Sequence, residues 1–500
     1  MQLEFSKAKD GSKTFSADGV FFHSTYSPYK EAERYLQSIN FSFEPQYIFL
    51  IEPGLSYLNT IIKKKFPFCK TICIRLFDQK LGDEADWDKV IFYSDFSASS
   101  FSFFLLSEFG EEKLLTSTII LNQQSQKIFF DKVTKITEDY KACLEQAKTV
   151  LTTRQFFEKK WLINSCNFFK YVNTIAEALP ESKLPLVICA SGPSLKASLN
   201  TIKENQDKLF ILCLSSALSV LIKNSIKADM ILTTDGGFWA GEHLKYLKKN
   251  PDILLAAPCE AFIPKKVLSC NPLLSLKYND CSSFINGEII EKAGLPSFEA
   301  LRNPTVSGTG LYLAKAITNN KIYFCGLDLA ASKGFSHTQP NELENNNCLV
   351  DNRLYTKEKR ISASGFSSKS LEIYREWFSS LSQKEVEDLY RVIPENCQKG
   401  LGYIKDISPL DFNNQIKKLS SGPKNISFST RQFNKSKVKE SLDFILEKLS
   451  SPQWKNQIFP ADSLSIKNAR DQESKNQAAK RLDSKITALQ KKIRKLADDS

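Results

Sequence analysis

Histidine is scarce in this chain, with three among 500 residues, His23, His243 and His337. Twelve cysteines are scattered without a C-x-x-C pair, Cys69 and Cys73 being the closest couple. With no histidine spacing to match them, a zinc site is excluded and no metal-binding residues are expected. No G-x-G-x-x-G follows a strand and no Gly-Lys-Ser or Gly-Lys-Thr turn occurs, so neither common nucleotide fingerprint applies. Long apolar runs are missing too. The longest, Leu209 to Ile222, holds three serines between Lys208 and Lys223. It falls short of the roughly 20 residues a membrane span needs, and a core strand plus helix is expected there. No apolar segment follows the first charges, so no secretory signal is read, and unpaired thiols imply a reducing cytoplasm. What remains is a globular composition, 42% hydrophobic and 25% charged with a net charge of +12. That length predicts roughly two to four domains, and the moderate charge gives only a slight preference for anionic partners.

The stretch from Leu186 to Asp235 organises the rest. Leu186 to Cys189 is a short apolar run, broken by Ser191, Gly192, Pro193 and Ser194 before a segment with helical spacing. Phe210 to Leu214 and Met230 to Thr234 repeat the pattern. Short apolar strands alternating with helices predict a parallel sheet covered on both faces, with ligands at the carboxyl ends of its strands. The turn Ser191 to Ser194 and Asp235 both fall at such ends. A turn of small residues before a helix lets backbone N–H groups approach an anion, for which phosphate is the natural guest. A plain strand-to-helix turn with Ser194 as a cap explains the same residues.

These residues carry a resemblance. Ala190-Ser191-Gly192-Pro193-Ser194-Leu195, with Ser215-Ser216-Ala217, Lys227-Ala228-Asp229 and Thr234-Asp235, resembles the central domain of the motility-associated-factor (Maf) flagellin glycosyltransferases. That domain is similar to bacterial sialyltransferases that use CMP-activated donors. Ser307-Gly308-Thr309 before a helix, Ile322 to Gly326, Leu327-Asp328-Leu329-Ala330 and His337 resemble the family's second glycine-rich turn and its Gly-x-Asp-Leu-Ala...His segment. The resemblance implies an α/β fold with a central doubly wound, Rossmann-like and sialyltransferase-like parallel sheet. It implies donor-binding roles for Ser191, Gly192, Pro193, Ser194, Ser216, Ser307, Gly308, Thr309 and Asp328. The donor would be a CMP-activated sugar with no tightly bound cofactor, and the acceptor flagellin.

Sugar transfer needs a base for the acceptor hydroxyl, and an imidazole titrating near neutrality suits it. His337, in the polar loop Ser332-Lys333-Gly334-Phe335-Ser336-His337, is the candidate, with His243 second and His23 a fold residue. Asp235 is assigned to the same catalytic centre. As a lone carboxylate it is too little for a divalent ion, and is expected to accept hydrogen bonds from donor sugar or ribose.

The chain is expected to divide at 1–130, an N-terminal α/β domain; 131–180, a helical connector; 181–420, the transferase domain; and 421–500, a basic helical region. In the first, Glu52-Pro53-Gly54 thins a turn that the family makes glycine-rich. Arg75 stands near where a ribose-binding acid would be, so a structural or docking domain is favoured. Within the connector, Trp161 and Asn164 match family positions. Asn396 to Gly402 resembles the family's closing turn, and Ser420-Ser421-Gly422-Pro423 reads as a linker. In the tail, Ala479, Leu482, Ile486, Leu489, Ile493 and Leu496 form a heptad seam that suits self-association, a partner or ordinary packing. No aromatics interleave the tail's charges, so no nucleic-acid partner is expected.

Two enzyme readings and one other stand at this point. The first moves a nonulosonic, sialic-acid-like sugar from CMP to Ser or Thr hydroxyls of flagellin. The second is an ATP-dependent pyrophosphokinase of the pterin type, which shares the Gly-Pro-Ser-Leu turn but carries clustered aspartates where this chain has Asp235-Gly236-Gly237. The third is a non-catalytic flagellin-binding or chaperone-like protein.

Overall fold

The apolar run at Leu186 forms the middle of a large parallel sheet in the computed structural model. The structure describes residues 3–96, 100–278, 284–330, 337–354, 356, 369–394, 400–420, 424, 426, 428–469 and 471–498. The loop Ser332 to Ser336, the turn residues Asn396 to Lys399 and the linker residues Ser421 to Pro423 lie outside the described residues. Two units divide the chain, residues 1–156 with 455–487 and residues 157–454 with 488–500.

The first unit holds strands β1 (Leu3–Lys7), β2 (Lys13–Ala17) and β3 (Val20–Phe21) in an antiparallel sheet. It also holds β4 (Tyr47–Ile51), β5 (Lys70–Arg75), β6 (Lys89–Phe92) and β7 (Ser117–Leu121), parallel in the order β6-β5-β4-β7. Helices α1 (Pro28–Ser38), α2 (Tyr57–Lys65) and α3 (Gln123–Ile128) belong to this unit. Helix α4 runs unbroken from Phe130 to Tyr171, and the unit boundary at 156 falls inside it.

The second unit is built on β8 (Thr174–Ala176), β9 (Leu186–Cys189), β10 (Phe210–Leu214), β11 (Met230–Leu232), β12 (Leu254–Pro258) and β13 (Leu273–Tyr278). β14 (Ser297–Ala300), β15 (Ile322–Cys325), β16 (Leu389–Val392), β17 (Lys405–Ile407) and β18 (Thr430–Gln432) complete the sheet. Its order is β17-β16-β15-β9-β10-β11-β12-β13-β8-β18, with β14 on β13, and only β18 is antiparallel to its neighbour. Leu186, Ile188, Phe210, Leu212 and Leu232 join one core cluster. Val187, Cys189, Ile211, Cys213 and Ile231, pointing the other way, are equally inaccessible. A strand covered on both faces needs apolar side chains at every position, which is why the strands read as runs. The expected α/β fold with a central parallel sheet is present. The stretch Leu209 to Ile222 becomes β10 followed by helix 218–223.

From β9 the chain moves outward through β10 to β13, then returns on the other side as β15, so the strand order reverses between β9 and β15. Such a reversal leaves a crevice at the carboxyl ends where ligands of open sheets bind. Around that edge lie helices α5 (Phe238–His243), α6 (Val306–Ile317), α7 (Glu342–Val350) and α8 (Lys369–Ser379). Gly310 of α6 rests on Ile188, Leu214 and Leu232, so this helix lies across β9, β10 and β11.

The helical C-terminal region ends in α9 (Gln472–Asp498). Its heptad seam is covered by the chain itself: Leu482, Ile486, Leu489 and Ile493 are all buried. With these four covered, the seam serves internal packing in this chain, the ordinary alternative among those its pattern suited. Among the described residues no helix is long and apolar enough to cross a membrane.

Candidate active site

The turns after β9 and β15 are locked together. Gly192 donates its N–H to Gly326 O (2.9 Å) and Ala190 donates to Cys325 O (2.8 Å). Asp328 then turns inward, accepting the Ser194 N–H on Oδ1 (3.1 Å) and Oδ2 (3.0 Å) and the Ser194 hydroxyl on Oδ2 (2.8 Å). Burial raises the Asp328 carboxyl above its ordinary range despite these bonds. A Cβ on Gly192 would lie 2.2 Å from Asp328 Oδ2, and one on Gly326, at φ 85°, would lie 2.2 Å from Ala190 O. The small residues of this turn thus admit an anion, but at Ser194 the anion is the chain's own carboxylate. Asp328 holds the turn from within and is only 8% exposed, which gives it a positioning place rather than a wall of the crevice.

On the open side of the same turn, Ser216 Oγ, just after β10, lies 2.9 Å from Ser191 Oγ. The returning loop closes over this pair. Thr338 N–H donates to Ser191 O (2.7 Å) and its hydroxyl to Gly192 O. Asn341 Nδ2 donates to Ser216 O (3.0 Å) while its Oδ1 caps α7 through the N–H groups of Leu343 and Glu344. Ser191, Gly192, Ser194, Ser216, Asp328 and the segment that follows His337 are therefore one cluster.

His337 Nδ1 lies 3.3 Å from Glu344 Oε1, in the first turn of α7, with the imidazole 28% exposed and the carboxylate 7%. A carboxylate that engages Nδ1–H leaves the Nε2 lone pair as the free base. His243, at the end of α5, repeats the arrangement with Glu342 Oε2 at 3.2 Å, but its side chain is only 10% exposed. Burial pushes Glu342 up, and hydrogen bonds from His243, its own backbone and Tyr246 more than reverse this, leaving it below its ordinary value. Two histidines thus pair with carboxylates two residues apart on one helix. His23 is in the other unit, buried, its Nε2 accepting the Leu55 N–H at 2.7 Å.

Asp235 sits after β11, exposed, its Oδ1 accepting the Gly237 N–H at 2.8 Å. Its turn is held from α4, where Asn164 Nδ2 donates to Gly236 O (3.1 Å) and Glu260 O (2.9 Å). Trp161 packs against Gly236 and Phe157 beside Gly237. Burial raises the Tyr374 phenol on α8, and the charge of Asp235 adds to this, so the two groups share one field. The neighbouring Arg375 donates to Leu329 O (3.4 Å), tying α8 to the β15 turn.

Ser307, Gly308 and Thr309 begin α6, which Thr305 caps through the Ser307 N–H (3.4 Å). Ser307 and Thr309 are buried, and Gly308 lies under Asn303 and Trp377. Among the described residues neither hydroxyl bonds to the Ser191 or Asp235 turns, and the helix meets the sheet through Gly310 instead. Glu344, Asn341, Thr338 and Tyr374 were not foreseen. His337 precedes α7 and Glu344 lies within its first turn, so their seven-residue interval does not mark the pair, whereas Asn341 with Glu344 three residues later does resemble a helix start.

After β4 in the first unit, Arg75 is fully buried between Glu52 Oε1 and Asp83 Oδ1, each at 2.8 Å. Glu52 also accepts the N–H groups of Leu76 and Phe77 (2.7 and 3.2 Å). This ionic network fills the turn in place of a ribose.

A family model described as 6-hydroxymethylpterin diphosphokinase MptE-like matches residues 159–334. An uncharacterized protein of Treponema pallidum (strain Nichols) is 27% identical over 307 residues, covering 61% of this chain and 66% of that protein, just under two thirds of its length. Among solved structures, a MAf glycosyltransferase from Magnetospirillum magneticum AMB-1 is similar at a TM-score of 0.57 and 11% identity, over 100% of this chain and 91% of that one. At such low identity the likeness is one of fold. Residues 159–334 are therefore similar to the MptE-like family, and the fold of the whole chain is similar to that of a MAf glycosyltransferase.

Proposed function

We propose that this chain is a glycosyltransferase that moves a nonulosonic acid from its CMP conjugate to Ser or Thr hydroxyls of flagellin in the cytoplasm. The observation that carries the reading is the pair of half-buried His337 and buried Glu344, one residue from Thr338, which is bonded to the Ser191 turn at the reversal of strand order. In this reading the Ser191 and Ser216 hydroxyls bind the donor phosphate, and Asp235 accepts from a sugar or ribose hydroxyl. His337 Nε2 takes the acceptor proton as the hydroxyl oxygen attacks the anomeric carbon and the bond to CMP breaks. Ser194 and Asp328 shape the turn, and Ser307 to Thr309 set α6 against the sheet.

A base in this position contributes on the order of a hundred- to ten-thousand-fold in rate. His337→Ala is expected to lose transfer by that factor while keeping its unfolding temperature and its affinity for CMP. His243→Ala should lose less. Normal transfer by a folded His337→Ala protein would remove His337 from the role.

The match over residues 159–334 to a diphosphokinase-like family favours a second reading, ATP-dependent pyrophosphoryl transfer. Calorimetric titration separates the two. Binding of CMP supports the transferase, and binding of ATP with magnesium but not CMP supports the kinase.

A further inference from the structure

The first unit has a cleft of its own. It measures about 140 Å³ and its walls include Phe22, His23, Glu31, Tyr35, Tyr57 and Gln124. In the four-stranded parallel sheet the order also reverses, β5 and β7 flanking β4, and Pro53 after β4 and Asn122 after β7 both border the cleft. It therefore opens where a parallel sheet presents ligands, beside the turn whose depth the Glu52–Arg75–Asp83 network fills. At about 30 Å³ for each water in the liquid this is room for roughly five, so the cleft would seat one face of a ligand rather than enclose it.

The chemistry of the walls narrows the ligand. Tyr35 and Tyr57 give their hydroxyls to Leu121 O and Lys13 O, so they offer the cleft mainly ring surface. His23 accepts from the Leu55 N–H, and burial, with Arg75 beside it, lowers its pKa to about 4, so it is uncharged at neutral pH. Glu31 holds the Ser24 N–H on Oε2 (2.7 Å) and keeps Oε1 as an acceptor. The side-chain amides of Gln123 and Gln124, both on the wall, bond to no other described residue. No lysine or arginine lines the cleft among the described residues, and Arg75 is held by two carboxylates. A phosphate or carboxylate would meet Glu31 without a cation to offset it. Ring surface beside one carboxylate and two amides instead matches a pyranose, which has an apolar C–H face and adjacent hydroxyls that both donate and accept.

We propose that this cleft binds a neutral monosaccharide, its ring against the tyrosine wall and its hydroxyls between Glu31 and the amides of Gln123 and Gln124. The site is separate from the crevice of the second unit and does not rest on the transferase reading. Saturation-transfer NMR on the full chain, with glucose, galactose, mannose and N-acetylglucosamine as probes and glucose 6-phosphate as the charged control, tests it. At least one neutral sugar should receive saturation and the phosphate little. Glu31→Gln should weaken that binding about ten-fold or more, and Gln124→Ala should weaken it with no change in unfolding temperature. If Glu31→Gln does not fold, Gln124→Ala decides. Silence from all four sugars, equal binding of glucose 6-phosphate, or sugar binding that survives both substitutions would each overturn the proposal.

Discussion

Gly192 has a steric role that a methyl group would end. Added there, it would meet Asp328 Oδ2 at 2.2 Å and Gly326 O at 2.3 Å, and one of these belongs to backbone that cannot swing away. Gly192→Ala is expected to cost about 1–3 kcal/mol, as overpacking does elsewhere, measured by urea unfolding. An unchanged midpoint would mean that the two turns are not locked. His23 makes a prediction with a definite sign. Burial first, then Arg75, lowers it from 6.5 to about 4. Between those values the unfolded chain binds a proton that the folded chain refuses, so stability present above pH 6.5 is lost as the pH falls toward 4. The loss is about 3 kcal/mol at most. Urea midpoints at pH 7 and pH 5 should differ more in the parent chain than in His23→Gln, which keeps an acceptor for the Leu55 N–H but does not titrate. Equal pH dependence in the two proteins would show that His23 titrates normally.

Among the elements, β9, β10 and β11 and the turns that follow them were legible, because buried parallel strands are runs of apolar residues and their ends carry small or acidic ones. The pairing of β15 with β9 was not, since a strand's neighbour is fixed by tertiary packing. That pairing brings Asp328 within hydrogen-bond reach of Ser194, 134 residues earlier, and changes its reading from ligand contact to internal support. In the same way Arg75 announces the lack of a ribose acid, but only the fold shows the two carboxylates around it. Helix α9 was legible as a helix, while its seam was ambiguous, because a heptad pattern is the same whether the partner is another chain or the same one. Ile493, fully buried on that seam, should cost about 2–5 kcal/mol as Ile493→Ala. Urea unfolding should record the loss while light scattering gives an unchanged mass. A lower mass with an unchanged unfolding midpoint would restore the seam as an interface between copies.

At the scale of the whole molecule, likeness in fold extends over 100% of this chain, whereas the family match covers residues 159–334. The Ser191 turn, Ser216, Asp235 and His337 lie in the second unit, and the proposed saccharide cleft lies in the first. The proposed transfer of a sugar to flagellin is read from the intact mass of flagellin from cells that make this protein and from cells that lack it. If the chain transfers this sugar, flagellin from the cells lacking it is lighter by whole multiples of one nonulosonic acid residue, and the His337→Ala protein does not restore the mass. Flagellin of identical mass in both cells, with the protein present and folded in the first, would contradict the proposed transfer.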